Sequence, residues 1–158
     1  MGRFLKLNND MQTIADKLLE NQDLCKLLKY EGENPLSMPE VRPSEIMDKR
    51  LLLSSKIFGN KEIGSFLTLE ISGGKPKSSE HYIQTSFFFD ILIHHDARKI
   101  INGQRVNFIS DIIEEVMESM TFSIGKVNFY GFERIGNNDG RFLGRRLIYR
   151  DVDFRNIG

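Results

Sequence analysis

The sequence predicts an α+β fold: a mostly antiparallel four-stranded sheet packed by an N-terminal helical region and a central helix. Three observations carry this. Apolar residues recur at helical spacing near the start and again over 106–120. Between and after these segments the pattern changes to runs rich in β-formers. Each of the two later strand pairs is joined by a glycine-rich turn.

In order along the chain, Asn9 and Asp10 are good N-cap types. They precede a stripe at Met11, Ile14, Leu18 and Cys25, widened by Leu24, Leu27 and Leu28. Asn21-Gln22-Asp23 reads as a break or a second cap, so the expectation is one helix or a broken pair ending near Tyr30. Residues 31–62 form an irregular arm with prolines at 35, 39 and 43, which carry no helix interior. Leu51-Leu52-Leu53 and Ile57-Phe58 give this arm apolar anchors, which suit docking on a neighbour better than self-packing.

Phe66–Ile71 then reads as a strand, followed by a turn over Ser72–Ser79 and a longer strand from Tyr82 to His94. Around Phe87–Ile93 both faces of that strand are apolar, so it is expected to be central and covered on both sides. Asp96-Ala97-Arg98 leads through Asn102-Gly103 into a helix over Val106–Met120. The stripe of this helix is Val106, Ile109, Ile112, Ile113, Val116, Met117 and Met120. Val127–Ile135 and Arg141–Phe154 close the chain as a hairpin around Gly136-Asn137-Asn138-Asp139-Gly140. The whole, 1–158, reads as one domain.

Composition narrows the function. At 158 residues and 40% hydrophobic, the chain is long enough for a real core. Lys and Arg total 22 against 22 Asp and Glu, which excludes a uniformly basic nucleic-acid coat but not a local patch. One cysteine excludes an internal disulfide framework and any two-cysteine metal site. The longest strictly apolar runs, Leu51–Leu53 and Phe87–Phe89, are far short of the ~20 residues of a membrane helix. The first eight residues have no secretory apolar region, and a soluble protein of a reducing compartment is expected.

Candidate chemistry is sparse. His94, His95 and Asp96 are adjacent, with His81 upstream, but neighbours on an extended strand point to opposite faces. Two histidines at the polar end of a strand is the favoured reading, and no metal ligand is assigned. Glu70 and Asp90 fall on neighbouring strands, yet the acid-x-Lys pattern of restriction-type nucleases does not occur. Cys25 lies on an apolar stripe, where a buried, inert thiol is the default. Neither a nucleophile elbow nor a phosphate loop is present. The expectation is a protein that is not an enzyme, with no catalytic residue and no cofactor.

Charge is segregated along the chain. Residues 103–121 hold Arg105 against Asp111, Glu114, Glu115 and Glu118, a formal balance of −3. Residues 141–150 hold Arg141, Arg145, Arg146 and Arg150 and no acid, a balance of +4. One reading is a solvated helix face and an edge strand protected by charge. The other is that an acidic face on one subunit meets a basic face on the next, or that the arginines face phosphate. It makes Arg141, Arg145, Arg146, Arg150, Glu114, Glu115 and Glu118 candidate subunit-interface residues.

The order of elements resembles that of bacteriophage tail-terminator and tail-completion proteins, small neck proteins that cap the tail tube. The resemblance runs from the helical stretch ending Asn21–Tyr30 through the loop Asn34-Pro35-Leu36-Ser37-Met38-Pro39. It continues through the strand ending Phe89-Asp90-Ile91-Leu92-Ile93, the helix from Val106 and the closing hairpin. It implies a structural virion protein, made in the host cytoplasm, that forms a homo-hexameric ring at the neck. The implied partners are copies of itself, the tail tube protein and a head-completion or connector protein, with packaged DNA close by and no membrane. A head–tail connector is the nearest alternative, followed by a metal-dependent nuclease or a small nucleic-acid-binding module.

Overall fold

A computed structural model of the chain describes residues 2–56, 58–59, 62–74, 83–137 and 139–152. His81, Tyr82, Ile57, most of the expected 72–79 turn and the end of the last strand at Phe154 lie outside them.

Helix α1 runs from Arg3 to Leu19 and α2 from Gln22 to Lys29. The break falls where the sequence places it: Asn21 Oδ1 accepts from the Leu24 amide at 2.9 Å and caps α2. The start of α1 differs. The helix begins six residues before Asn9, and Asp10 is a buried residue inside it, not a cap. Its carboxylate accepts twice from the Ser123 amide, at 3.0 and 3.2 Å, tying α1 to the loop after the central helix.

The arm packs on its own chain, contrary to expectation. Val41, Ile46 and Leu51 are buried, and Gln22 brackets Val41 by donating to its carbonyl and accepting from its amide. Leu51–Leu52 forms a short strand, β1, parallel to the next strand at Leu67 and Thr68. Of the apolar anchors, Leu51 and Leu53 therefore pack at the near edge of the chain's own core.

Strands β2 (Ser65–Gly74), β3 (Gln84–His94), β6 (Lys126–Gly136) and β7 (Phe142–Val152) complete the sheet. Two two-residue strands, β4 (Lys99–Ile100) and β5 (Gly103–Gln104), form a separate hairpin before α3 (Arg105–Ser119). The sheet has five strands, ordered β1-β2-β3-β7-β6, and every pair except β1–β2 is antiparallel. The four-strand expectation omitted β1, since two leucines carry no periodicity.

Strand β3 is central, but covered on one face only. Phe87, Phe89, Ile91 and Ile93 are buried in the main core with Leu67, Leu69, Leu147, Tyr149 and the inner sides of the three helices. Phe88, Asp90 and Leu92 face the other way and are half-buried. Apolar Phe88 and Leu92 beside the core residues made the strand look two-sided. Among the described residues, tertiary packing instead leaves this second face only partly covered at Phe88, Asp90 and Leu92, with Phe58 stacked on Phe142 at 3.9 Å and edge-on to Phe66 at one end. The reading of 141–150 as an edge strand is likewise overturned: β7 lies between β3 and β6, and β6 is the edge.

Candidate assembly surface

The four candidate arginines, Arg141 just before β7 and Arg145, Arg146 and Arg150 within it, make polar contacts within the chain. Arg146 and Asp90 are cross-strand partners and form a two-pronged pair at 2.7 and 2.9 Å, with Glu133 of β6 3.7 Å away. This pairing raises the Arg146 pKa. Arg145, on the opposite face, donates to Asn107 Oδ1 and Ser110 Oγ of α3 and lies over Phe132. Arg150 donates to Ser86 Oγ and stacks 3.4 Å from the ring centre of Tyr130. Arg141 pairs with Asp139 and donates to the Gly59 carbonyl. Arg145 and Arg146 lie on opposite faces, as regular alternation dictates. A bulge sits in β6, between Phe129 and Gly131. Gly144 marks a close approach: a Cβ there would overlap the Ile91 carbonyl of β3.

The acidic candidates are placed differently. Glu114, Glu115 and Glu118 are exposed on α3, and among the described residues none has an ion-pair partner. Glu114 and Glu118 stand one turn apart on the rim of a groove of about 570 Å³ between α3 and β6. Its floor is Met117, Phe122, Phe129 and Tyr149. Burial first, and then the charges of Glu114 and Glu118, push the Tyr149 phenol above its ordinary range. Glu115 does not line the groove.

Beside the groove runs the free edge of β6. Phe129 and Phe132 are 49% and 64% exposed on the α3 side of β6, which α3 does not reach across, and Tyr130, at the bulge, is 61% exposed on the opposite face, where Arg150 stacks on it. Phe129 and Phe132, on one face of an edge strand beside the groove, form an exposed apolar surface of the kind that marks a protein–protein contact.

At the other end of α3 stands the β4–β5 hairpin, which the sequence reading missed. Ile100 points into the core, and Ile101 at the turn is 67% exposed. Arg98 and Lys99 are exposed beside it and, among the described residues, in no ion pair. The turn is nevertheless fixed. The Ile101 amide donates to the Glu33 carbonyl at 2.7 Å, and the Arg105 amide donates to the Arg98 carbonyl at 2.8 Å.

Arg105 is the largest fully buried side chain. Its guanidinium donates to the carbonyls of Ala97 and Gly32, at 2.7 and 2.9 Å, and to that of Leu27. Leu27 is in the last turn of α2, so a cation satisfies an orphan carbonyl at the negative end of a helix. Burial, the largest influence, pushes the Arg105 pKa down to about 10. Three carbonyl acceptors keep the charge in place, and an arginine stays protonated at any ordinary pH. The signal in the sequence was the lone cation at the head of an otherwise acidic, apolar helix.

The candidate chemistry also changes place. The chain leaves β3 at His94 into a single 3-10 turn, His95–Ala97. Strand alternation therefore stops there, and the rings of His94 and His95 approach to 4.2 Å between centres. The ligand atoms of His94, His95 and Asp96 lie within 4.8 Å of one another, which the strand argument had not expected. His94 Nδ1 already accepts from the Asp96 amide at 3.3 Å. Of the two strand carboxylates, Asp90 is held by Arg146, and Glu70 accepts from Ser55 Oγ at 2.6 Å. Cys25 is fully buried, and burial raises its thiol pKa. Among the described residues, no helix is long and apolar enough to cross a membrane.

No curated protein and no solved structure matches the chain. A family model described as YomW matches residues 21–150, from the cap of α2 to the end of the arginine strand. By that match, which spans most of the sequence and all the elements of the sheet, the chain belongs to the YomW family, a phage-derived family.

Proposed function

We propose that this protein is a structural component of the phage particle that assembles with copies of itself into a ring at the neck. There it ends or completes the tail tube where the tube joins the head. The observation that carries the reading is the edge strand β6, with Phe129 and Phe132 exposed beside an apolar groove, in a chain of phage-derived family. An 18.3 kDa protein that left such a surface in water would risk indiscriminate aggregation, so a dedicated partner is the economical explanation. Copies of the same chain are the proposed lateral partners, the tube protein and a head-completion protein the axial ones. The hexameric order follows the resemblance to tail terminators.

Cryo-electron microscopy of assembled particles, with mass spectrometry of their proteins, tests this. A ring of this chain at the head–tail junction is the expected result. Its absence from purified particles, or its presence only on replication complexes in infected cells, would overturn the proposal.

A further inference from the structure

The two ends of α3 carry complementary features that one molecule cannot bring together. At its N-terminal end the fixed turn presents Ile101 flanked by Arg98 and Lys99. Toward its C-terminal end the apolar groove opens between the carboxylates of Glu114 and Glu118. Nine helical residues, 105–113, separate the turn from Glu114, about 14 Å of axis at 1.5 Å per residue. Both charged sets are exposed and in no ion pair among the described residues, with Arg98 Nε donating to the His95 carbonyl at 3.4 Å.

We infer that the 98–102 turn of one copy seats in the α3–β6 groove of a second copy. Ile101 meets Met117 and Phe129, and Arg98 and Lys99 meet Glu114 and Glu118. The occupant is a second copy because knob and groove match in charge and in apolar character. The knob is also preorganised, since Arg105 and the Glu33 carbonyl hold the turn before contact. The apolar insertion gives the contact its strength, and the charges orient it. Knob and groove are different surfaces, so the contact is head-to-tail; it repeats from copy to copy and closes when the rotation permits. This deepens the proposed ring by naming its lateral contact. It retains Glu114 and Glu118 as interface residues and supplies their cations from 98–99 in place of the β7 arginines, which are engaged at home.

Paired cysteines in the full-length protein test the contact. Lys99→Cys with Glu118→Cys, under mild oxidation, should give a ladder of disulfide-linked dimers, trimers and higher species. Either single variant should stop at dimers. Cys25, fully buried, stays out of the reaction. In parallel, Lys99→Glu or Glu118→Lys should each weaken self-association about tenfold by sedimentation velocity, and the double reversal should restore it. A ladder absent both at the highest soluble concentration and in assembled particles would overturn the inference. So would single variants that form disulfide-linked dimers as readily as the double variant forms its first link, or charge reversals whose losses add instead of cancelling. A neck ring without the ladder leaves the proposed function standing and removes this contact; a ladder in a chain missing from particles does the reverse.

Discussion

Arg105 Nε donates to the Ala97 carbonyl at 2.7 Å in the dry interior, and through this bond a buried charge fixes the turn that exposes Ile101. The same guanidinium binds the end of α2 and the Gly32 carbonyl of the arm, so three chain segments meet on one cation. A long polar side chain at the head of α3 thus controls the shape of a surface that it never reaches.

Arg105→Met is expected to destabilise the fold by on the order of 3 kcal/mol, because it strands buried carbonyls without donors. Arg105→Lys should cost a similar amount, since one ammonium cannot span the three acceptors of a planar fork. Chemical denaturation checks both. A lysine variant as stable as the parent would show that the geometry of the fork is not required.

Ile91→Asp should abolish folding, for it places a carboxylate with no partner in the fully buried row of β3. Phe88→Asp, three residues earlier on the open face, should cost only about 1–2 kcal/mol, as the new charge stays near water. Circular dichroism and urea titration of the pair would separate the two faces. Equal losses would mean that the open face is covered.

Gly144→Ala should destabilise even though restricting the unfolded chain would by itself stabilise, because the methyl overlaps the Ile91 carbonyl and must push β7 from β3. Gly131→Ala, in open space one strand away, is the control and should change little. Thermal melts of the two variants give the comparison.

Glu45 should contribute to stability above the ordinary carboxylate range and lose that contribution in acid. Its pKa is lowered first by the hydrogen bond from Lys29, so the unfolded chain binds the proton more readily than the folded one. Stability from this group is therefore present above pH ~4.3 and falls as pH drops through the folded value. The melting temperature of Glu45→Gln should lie slightly below the parent at pH 7 and converge with it near pH 2. A gap that persists in acid would assign the effect to packing.

Purified, dialysed protein should retain no stoichiometric zinc or manganese, since the Asp96 amide occupies His94 Nδ1 and the Asp96 side chain is largely in water. Elemental analysis reads this directly. Tight metal lost on His94→Ala would make the 94–96 turn a real site.

The sequence by itself determined the class of the fold, the broken pair of helices around Asn21, and the position of every long strand within a few residues. These follow from periodicity and capping, which are local and survive without a partner. It also marked Glu114, Glu115 and Glu118 as candidate contact charges, without separating Glu115 from the two that line the groove. Tertiary structure alone decided which strand became the edge, because strand order depends on contacts far apart in sequence. It placed Val41, Ile46 and Leu51 of the arm in their own core, where an apolar residue in a proline-rich segment signals burial but not against what. It turned Asp10 from a cap into a tie to Ser123 and Arg105 from a surface charge into an interior one. Burial of a polar group is set by the acceptors that converge on it, and those of Arg105 lie at residues 27, 32 and 97, separated along the chain and joined only when it folds.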